Sequence, residues 1–303
     1  MARPHDRYFA ACVSLLLVVL GLVLIREGIY AWTLFIVVPF AIGCAAVWVK
    51  PRATGLGAAG LGALAATAAA FSLLLLGIEG LVCVLMCVPL TVPLGALGGL
   101  LAHHARLARK TVGSTAMLLL LPFATLGFDL GTQPKLFHVQ SEITIAATPE
   151  QVWKQVVAFS EIQEPREWYF RTGLAYPVRA HLEGVGSGAV RYCEFSTGPF
   201  VEPIEVWDEP RLLQFRVTQN PSPMQEWSPY GEIQPKHLHG YLVSKRGEFR
   251  LIPLANGQTL LRGTTWYQHG LWPSEYWRWW SDAIIHRIHL RVLRHIRDEA
   301  EKR

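Results

Sequence analysis

The sequence predicts an all-α transmembrane bundle of about five helices, followed by a separate α+β domain. The chain of 303 residues is 51% hydrophobic and 17% charged, whereas soluble domains carry about 25% charged residues. The charges are unevenly placed, because eight Lys/Arg and four Asp/Glu precede Leu130, against twenty and nineteen from there on. Beyond Leu130, strand-like runs are followed by one long helical pattern, which is typical of an antiparallel sheet packed with a helix.

The membrane prediction depends on apolar runs without a charged residue, each roughly 17 to 23 residues long, because about 20 residues span a bilayer as a helix. They are Phe9 to Ile25, Ala31 to Val49, Thr54 to Leu76, Leu81 to Leu101 and Thr111 to Phe128. The first run is interpreted as a retained helix and not a signal peptide, since Arg26-Glu27-Gly28 follows it in place of a small-residue cleavage site.

The side of the membrane follows from the basic residues between the runs. Arg3, Lys50 and Arg106 lie on alternate connections, which predicts that those connections face the cytoplasm. An odd number of crossings then places everything after Phe128 on the extracytoplasmic side. If the run from Thr111 to Phe128 were re-entrant, the domain would be cytoplasmic instead.

The apolar runs hold no ionisable group at mid-membrane depth, where a pump or pore usually needs one. Gly95-x-x-x-Gly99 predicts close helix contact. Cys83 and Cys87 lie one turn apart and are interpreted as small apolar residues, so no metal is predicted there, and no cofactor is predicted anywhere. The net charge of +5 comes mostly from short loops, so nucleic acid is not an expected partner. The bundle is predicted to be an anchor in the lipid bilayer.

The predicted domain boundaries are 1–130 for the transmembrane region, 131–137 for a short linker and 138–303 for the second domain. Alternation predicts a strand from His138 to Ala146, and Thr148-Pro149-Glu150-Gln151 predicts a capping box that begins a helix. Ser274 begins a long amphipathic helix near the end of the chain. Between these helices, further strands are predicted at Pro177 to Leu182, Ala189 to Ser196, Val201 to Trp207, Leu212 to Thr218, Tyr241 to Pro253 and Gln258 to Gln268.

This second domain resembles the START-like or SRPBCC superfamily, of the polyketide cyclase/dehydrase and lipid transport type. The resemblance covers Val139 to about Glu299 and is carried by Ile143-x-Ile145-x-Ala147-x-Pro149-x-x-Val152-Trp153, the turn Gly184 to Gly188, Gly257-x-Thr259-x-Leu261 with Thr265-x-Tyr267, and the closing helix. It implies a helix-grip fold, in which a curved antiparallel sheet surrounds a long C-terminal helix. It also implies an apolar cavity between that sheet and the helix.

The candidate cavity residues are polar residues on the predicted strands and aromatic residues on the strands, in the segment Asn220 to Gly240 and on the last helix. Alternation places Arg191 and Cys193 on one face of a strand and Tyr192 and Glu194 on the other, and either set could point inward. The full set of candidates is Arg191, Tyr192, Glu194, Glu202, Phe215, Trp227, Tyr230, Trp266, Tyr267 and Trp277.

The segment Asn220 to Gly240 is long and proline-rich, which favours either a lid or binding loop or a surface loop at the bilayer interface. His237, His239 and His269 are weak catalytic candidates that could meet near a cavity mouth or could be separately hydrogen-bonded. His286 and His289, one turn apart, are expected on a solvated face of the last helix.

Two functions remain open at this stage. One is a membrane-anchored module that binds or transfers a hydrophobic small molecule, such as a lipid, isoprenoid or polyketide-like compound. The other is a cyclase or dehydratase that uses one of the three candidate histidines as an acid or base. A scaffold role for the bundle alone is a third and weaker hypothesis, and binding is favoured over catalysis because no catalytic motif is present.

Overall fold

The computed structural model describes residues 4–47, 50, 52–107, 121, 122 and 124–302. The chain divides into two compact units. The first comprises Met1–Gln133, Glu226–His237 and Leu271–Pro273, and the second comprises Pro134–Gln225, Leu238–Gly270 and Ser274–Arg303. Two short segments that are late in the sequence therefore belong to the N-terminal unit.

The first unit is helical. Its helices are α1 (Pro4–Glu27), a π-helical segment (Thr33–Val37) that continues into α2 (Val38–Ala46), α3 (Gly55–Leu75) and α4 (Leu81–Leu107). Helices α3 and α4 approach closely at Gly62, Gly95 and Gly99, where a Cβ atom added to Gly62 would lie 2.1 Å from the carbonyl oxygen of Gly95. The predicted contact through Gly95 and Gly99 is therefore present.

The described helices support fewer membrane spans than the five that were predicted. Among the described residues, two helices, α3 and α4, are long and apolar enough to cross a membrane. The second apolar run forms five π-helical and nine α-helical residues, about 21 Å of helix, which is short for a hydrocarbon core of about 30 Å. Most of the fifth run, Thr111 to Phe128, lies outside the described residues.

The second unit begins with β1 (Lys135–Ile145) and α5 (Pro149–Val157). The predicted capping box is confirmed, because the Thr148 side chain accepts from the backbone of Gln151 while the Gln151 side chain accepts from the backbone N–H of Thr148. Val152, Trp153 and Val156 on one face of α5 are buried in the core of this unit.

The remaining strands of this unit are antiparallel to their neighbours and close to the predicted ones. They are β2 (Pro177–Glu183), β3 (Val190–Phe195), β4 (Gly198–Asp208), β5 (Leu212–Arg216), β8 (Leu242–Pro253) and β9 (Thr259–His269). With β1 they form a seven-stranded sheet in the order β1-β9-β8-β5-β4-β3-β2. A separate hairpin in the first unit, β6 (Glu226–Ser228) and β7 (Gly231–Ile233), lies within the segment predicted as a loop.

The last element is α6 (Ser274–Ala300), which packs its apolar stripe against the sheet. Leu293 and Ile296 of α6 are fully buried in the same core as Leu213 and Leu261 of the strands. The curved antiparallel sheet with a C-terminal helix against it is the helix-grip arrangement that was expected. It places one face of β3, β4, β5, β8 and β9 opposite one face of α6.

Candidate ligand cavity

A cavity of about 140 Å³ lies in the second unit between the sheet and α6. Its walls are mostly apolar because the alternation of each strand presents the same face toward the helix. Side chains that form the apolar wall include Phe195, Phe200, Phe215, Val217, Phe249, Ile284, Ile288 and Val292. An apolar interior with few polar groups is the usual form of a small-molecule site.

The first polar feature of the wall is an ion pair between Arg191 of β3 and Glu202 of β4. These residues are directly opposite each other in the antiparallel register. The Arg191 side chain is 2% exposed and that of Glu202 is 8% exposed, and the guanidinium donates to the carboxylate. Arg191 also donates through Nε to the carbonyl oxygen of Val157 at 3.1 Å.

The surroundings of this pair are aromatic. The Arg191 guanidinium carbon lies 5.5 to 5.7 Å from the ring centroids of Phe159, Phe215 and Phe249, within the range of a cation–π contact. Burial opposes the charge on Arg191, but the Glu202 carboxylate and the Cys193 side chain together outweigh it, so the pKa of the guanidinium is raised. Burial raises the pKa of the Glu202 carboxyl, which Arg191 partly offsets. The cavity wall thus holds a charged pair that depends on both partners.

A second polar feature is His289 of α6, which lines the cavity. Its Nε2 lies 2.8 Å from the Thr265 hydroxyl and its Nδ1 lies 3.1 Å from the Ser141 hydroxyl. Ser141 in turn lies 2.7 Å from Nδ1 of His286. Burial, with a smaller contribution from His286, lowers the pKa of His289 to about 4. The ring is therefore neutral at pH 7, with one nitrogen that donates and one that accepts.

Because the folded state keeps His289 neutral, we expect the free energy of unfolding to decrease in acid. The unfolded state binds this proton at pH values below about 6.5, whereas the folded state binds it only near 4, so stability is lost as pH falls from 6.5 to 4. The full loss is about 3 kcal/mol. Unfolding of the full-length chain by denaturant at pH 7 and at pH 4 should therefore show a smaller acid-induced loss in His289→Gln than in the unchanged protein. His239→Gln, at an exposed position away from the cavity, is the control and should lose as much stability at pH 4 as the unchanged protein does. An equal loss in all three proteins would contradict the assignment to His289.

Asn220 supplies a third polar group of the wall. Its side chain exchanges two hydrogen bonds with the Ser244 backbone and so fixes the segment 220–224 along the cavity. Thr264 also borders the cavity, but its hydroxyl points to the other face of the sheet, because the neighbouring Thr265 faces His289 of α6 and successive side chains of a strand alternate.

Three of the predicted cavity residues line this cavity, namely Arg191, Glu202 and Phe215. Tyr192 and Glu194 lie on the other face of β3, where Glu194 accepts from Arg179 at 2.7 Å. Arg191 and Cys193 are thus the inward pair of the two that alternation allowed. Burial raises the pKa of the Cys193 thiol to about 12, so this thiol is not a nucleophile at neutral pH.

The other aromatic candidates lie elsewhere. The Trp266 ring lies 4.0 Å from the guanidinium of Arg246, and Tyr267 is buried with its hydroxyl 2.5 Å from the carboxylate of Asp282. Trp277 is buried on α6 but is not part of the cavity wall. Trp227 and Tyr230 belong to the hairpin of the first unit and are both more than half exposed.

The three candidate histidines do not line the cavity. His237 is buried in the first unit, His239 is exposed, and His269 is buried with its ring stacked on Phe137 at 5.1 Å. The histidine that lines the cavity is His289, which was expected on a solvated face. The signal that could have identified it is its position three and four residues from the apolar Val292 and Ile285, which both lie on the buried side of α6.

Comparisons with known proteins agree with this architecture. Residues 137–266 match the family described as polyketide cyclase / dehydrase and lipid transport. A search of curated proteins finds no match to the sequence.

Solved structures are similar to just over half of the chain. A truncated norcoclaurine synthase from Thalictrum flavum is 10% identical with a TM-score of 0.37, over 57% of this chain and 98% of that one. The Zhui aromatase/cyclase from Streptomyces sp. R1128 is 17% identical with a TM-score of 0.36, over 55% of this chain and 94% of that one. The family match covers residues 137–266, a segment that begins within β1 and ends within β9.

Proposed function

We propose that this chain is a membrane-anchored protein whose second unit binds a hydrophobic small molecule in the cavity between the sheet and α6. The observation that carries the proposal is the cavity itself, which combines an apolar wall with a few placed polar groups, the Arg191–Glu202 pair and the neutral His289. The lipid bilayer is the proposed source of the ligand, and α3 and α4 are the proposed anchor.

The size of the cavity supports a ligand that inserts a ring or a short branched chain. An apolar cavity of about 150 Å³ holds a molecule the size of benzene, and this one is about 140 Å³. A longer lipid, isoprenoid or polyketide-like molecule would fit only with its remaining length outside this space.

Ile288→Trp is expected to abolish binding, because Ile288 lines the cavity and indole fills most of the available space. The probe is 4-fluorophenol, whose bound fluorine resonance is observed with the full-length chain in detergent, against a blank of detergent alone. The matched control is Leu290→Trp, the same kind of change on α6 at a half-buried position outside the cavity wall, which should keep the bound resonance. No bound signal in the unchanged protein, or an unchanged signal in Ile288→Trp, would overturn the proposal.

Catalysis is the second candidate, and the contacts of His289 favour it. A neutral imidazole hydrogen-bonded to Thr265 and Ser141 at a cavity wall is placed as a general acid or base for a cyclase or dehydratase type of reaction. Under this alternative, His289→Gln would remove turnover of a polyketide-like substrate while 4-fluorophenol still binds. Binding without turnover in the unchanged protein supports the first proposal.

We also propose that the second unit lies on the extracytoplasmic side. The basic residues place Lys50, before α3, and Arg106, at the end of α4, in the cytoplasm, and the proposal adds one further crossing by the apolar run Thr111 to Phe128. Val185 is exposed at the turn between β2 and β3. Val185→Cys should therefore react with a membrane-impermeant maleimide in intact cells. Reaction only after cell lysis would instead place the second unit in the cytoplasm.

A further inference from the structure

Three metal-ligating side chains meet inside the first unit, away from the ligand cavity. Glu79 lies in the connection between α3 and α4, Cys83 in the first turn of α4, and His237 in a short 3-10 turn, Lys236–Leu238. One carboxylate oxygen, the thiol sulfur and one ring nitrogen of these residues all lie within 4.8 Å of one another. All three belong to the same compact unit.

Glu79 and His237 are buried and Cys83 is partly buried, and three polar atoms of the cluster lack a hydrogen bond within the described residues. The side chains of Glu79 and His237 are 4% and 8% exposed. Nδ1 of His237 lies 3.0 Å from Oε2 of Glu79, yet within the described part of the chain neither that oxygen nor either ring nitrogen has a hydrogen bond of acceptable geometry. Buried polar groups are otherwise almost always hydrogen-bonded. Three such atoms close together therefore indicate a place where a bound ion would satisfy them.

The surrounding residues fix these side chains. The Tyr30 hydroxyl donates to Oε1 of Glu79 at 2.6 Å, which leaves Oε2 directed toward His237. Glu226 is fully buried, and its carboxylate accepts from the backbone N–H groups of Val82 and Cys83 at 3.2 and 2.9 Å. A carboxylate at a helix N-terminus is stabilised by the helix dipole, and here it also lies 3.7 Å from Nε2 of His237.

The donor set favours one kind of ion. A thiolate, an imidazole and a carboxylate are the three ligand types that zinc accepts together, whereas magnesium and calcium require oxygen ligands. With a deprotonated Cys83, an ionised Glu79 and a neutral His237, two negative charges balance Zn²⁺. The hydrogen bond from Tyr30 to Glu79 and the position of the Glu226 carboxylate beside His237 are outer contacts of the kind that orient metal ligands.

We propose that Glu79, Cys83 and His237 form a zinc site in the first unit, with Tyr30 and Glu226 as orienting residues. Three protein ligands leave one tetrahedral position for water or another ligand. The proposal is independent of the ligand cavity, so either can fail without the other.

The test is the zinc content of the full-length chain purified in detergent, measured by inductively coupled plasma mass spectrometry. One zinc ion per chain is expected in the unchanged protein, and Cys83→Ser and His237→Gln should lose it. Cys44→Ser is the matched control, because Cys44 is a buried thiol of α2 outside the cluster, and it should keep the metal. Tyr30→Phe should weaken zinc binding about 10- to 100-fold if it acts by orienting Glu79.

A second measurement excludes loss through misfolding. The unchanged protein, stripped with a chelator and titrated with Co²⁺, should develop a sulfur-to-cobalt charge-transfer band. Cys83→Ser should not develop this band, although its circular dichroism should show the same helix content as the unchanged protein. Absence of both zinc and the cobalt band in the unchanged protein would overturn the site. The cluster would then be an imidazolium held between two carboxylates.

Discussion

Glu202→Gln is expected to destabilise the second unit by about 3–5 kcal/mol, because it leaves the charge of Arg191 buried without its counter-ion. Both side chains are less than a tenth exposed, so water cannot replace the lost carboxylate. Glutamine keeps the size of the side chain, and the loss therefore reports the charge and not a change of packing. Denaturant unfolding of the full-length chain, followed by tryptophan fluorescence, measures it.

Two controls separate burial from pairing. Glu194→Gln breaks a pair on the other face of the sheet, where Arg179 is 55% exposed, and should cost far less stability than Glu202→Gln because water screens an exposed ion pair. Replacing both buried partners, Arg191→Met with Glu202→Leu, should restore most of the stability that Glu202→Gln loses, since an apolar pair of similar volume is often neutral or better. A double variant that is less stable than Glu202→Gln would contradict this account.

Leu293→Ala is expected to cost about 2–5 kcal/mol, because Leu293 is fully buried on α6 and the change leaves a void. Leu293 also lines the ligand cavity, so the void adds to that space. The variant should therefore bind 4-tert-butylphenol more tightly than the unchanged protein does, measured by displacement of 4-fluorophenol.

The matched control is Leu290→Ala, three residues earlier on α6 and outside the cavity wall. It should lose about 1 kcal/mol and should show no gain for the bulkier phenol. A loss of stability in Leu293→Ala without any change in ligand size preference would separate this part of the core from the binding site.

Much of the second unit could be predicted because its signals are local. The capping box at Thr148 and Gln151 and the alternation of β1 depend on residues that are close in sequence. The number of membrane spans was predicted less well. Ala31 to Val49 is apolar throughout, but composition alone does not reveal that Thr33–Val37 is π-helical and that the helix ends at Ala46.

The inward face of β3 was predictable in principle from register. Phe195 pairs with Gly198 across a two-residue connection, and antiparallel pairing then sets Arg191 directly opposite Glu202. An opposite-charge pair on a face that also carries Cys193 is a better candidate for burial than the pair Tyr192 and Glu194. Alternation without that register left both faces open.

The zinc-type cluster could not be predicted from spacing. Cys83 and Cys87 have no nearby His in sequence, and His237 reaches Cys83 only because Glu226–His237 folds with the first unit. No local sequence pattern shows that a segment this late in the chain folds with the first unit.

The discontinuous first unit has a consequence for biosynthesis. The chain passes between the two units five times, and Leu271–Pro273 is the last piece of the first unit to leave the ribosome. N-terminal units usually fold first during synthesis, but here Glu79 and Cys83 must wait until most of the chain has been translated before His237 can join them. Maturation of the first unit therefore depends on translation of the second.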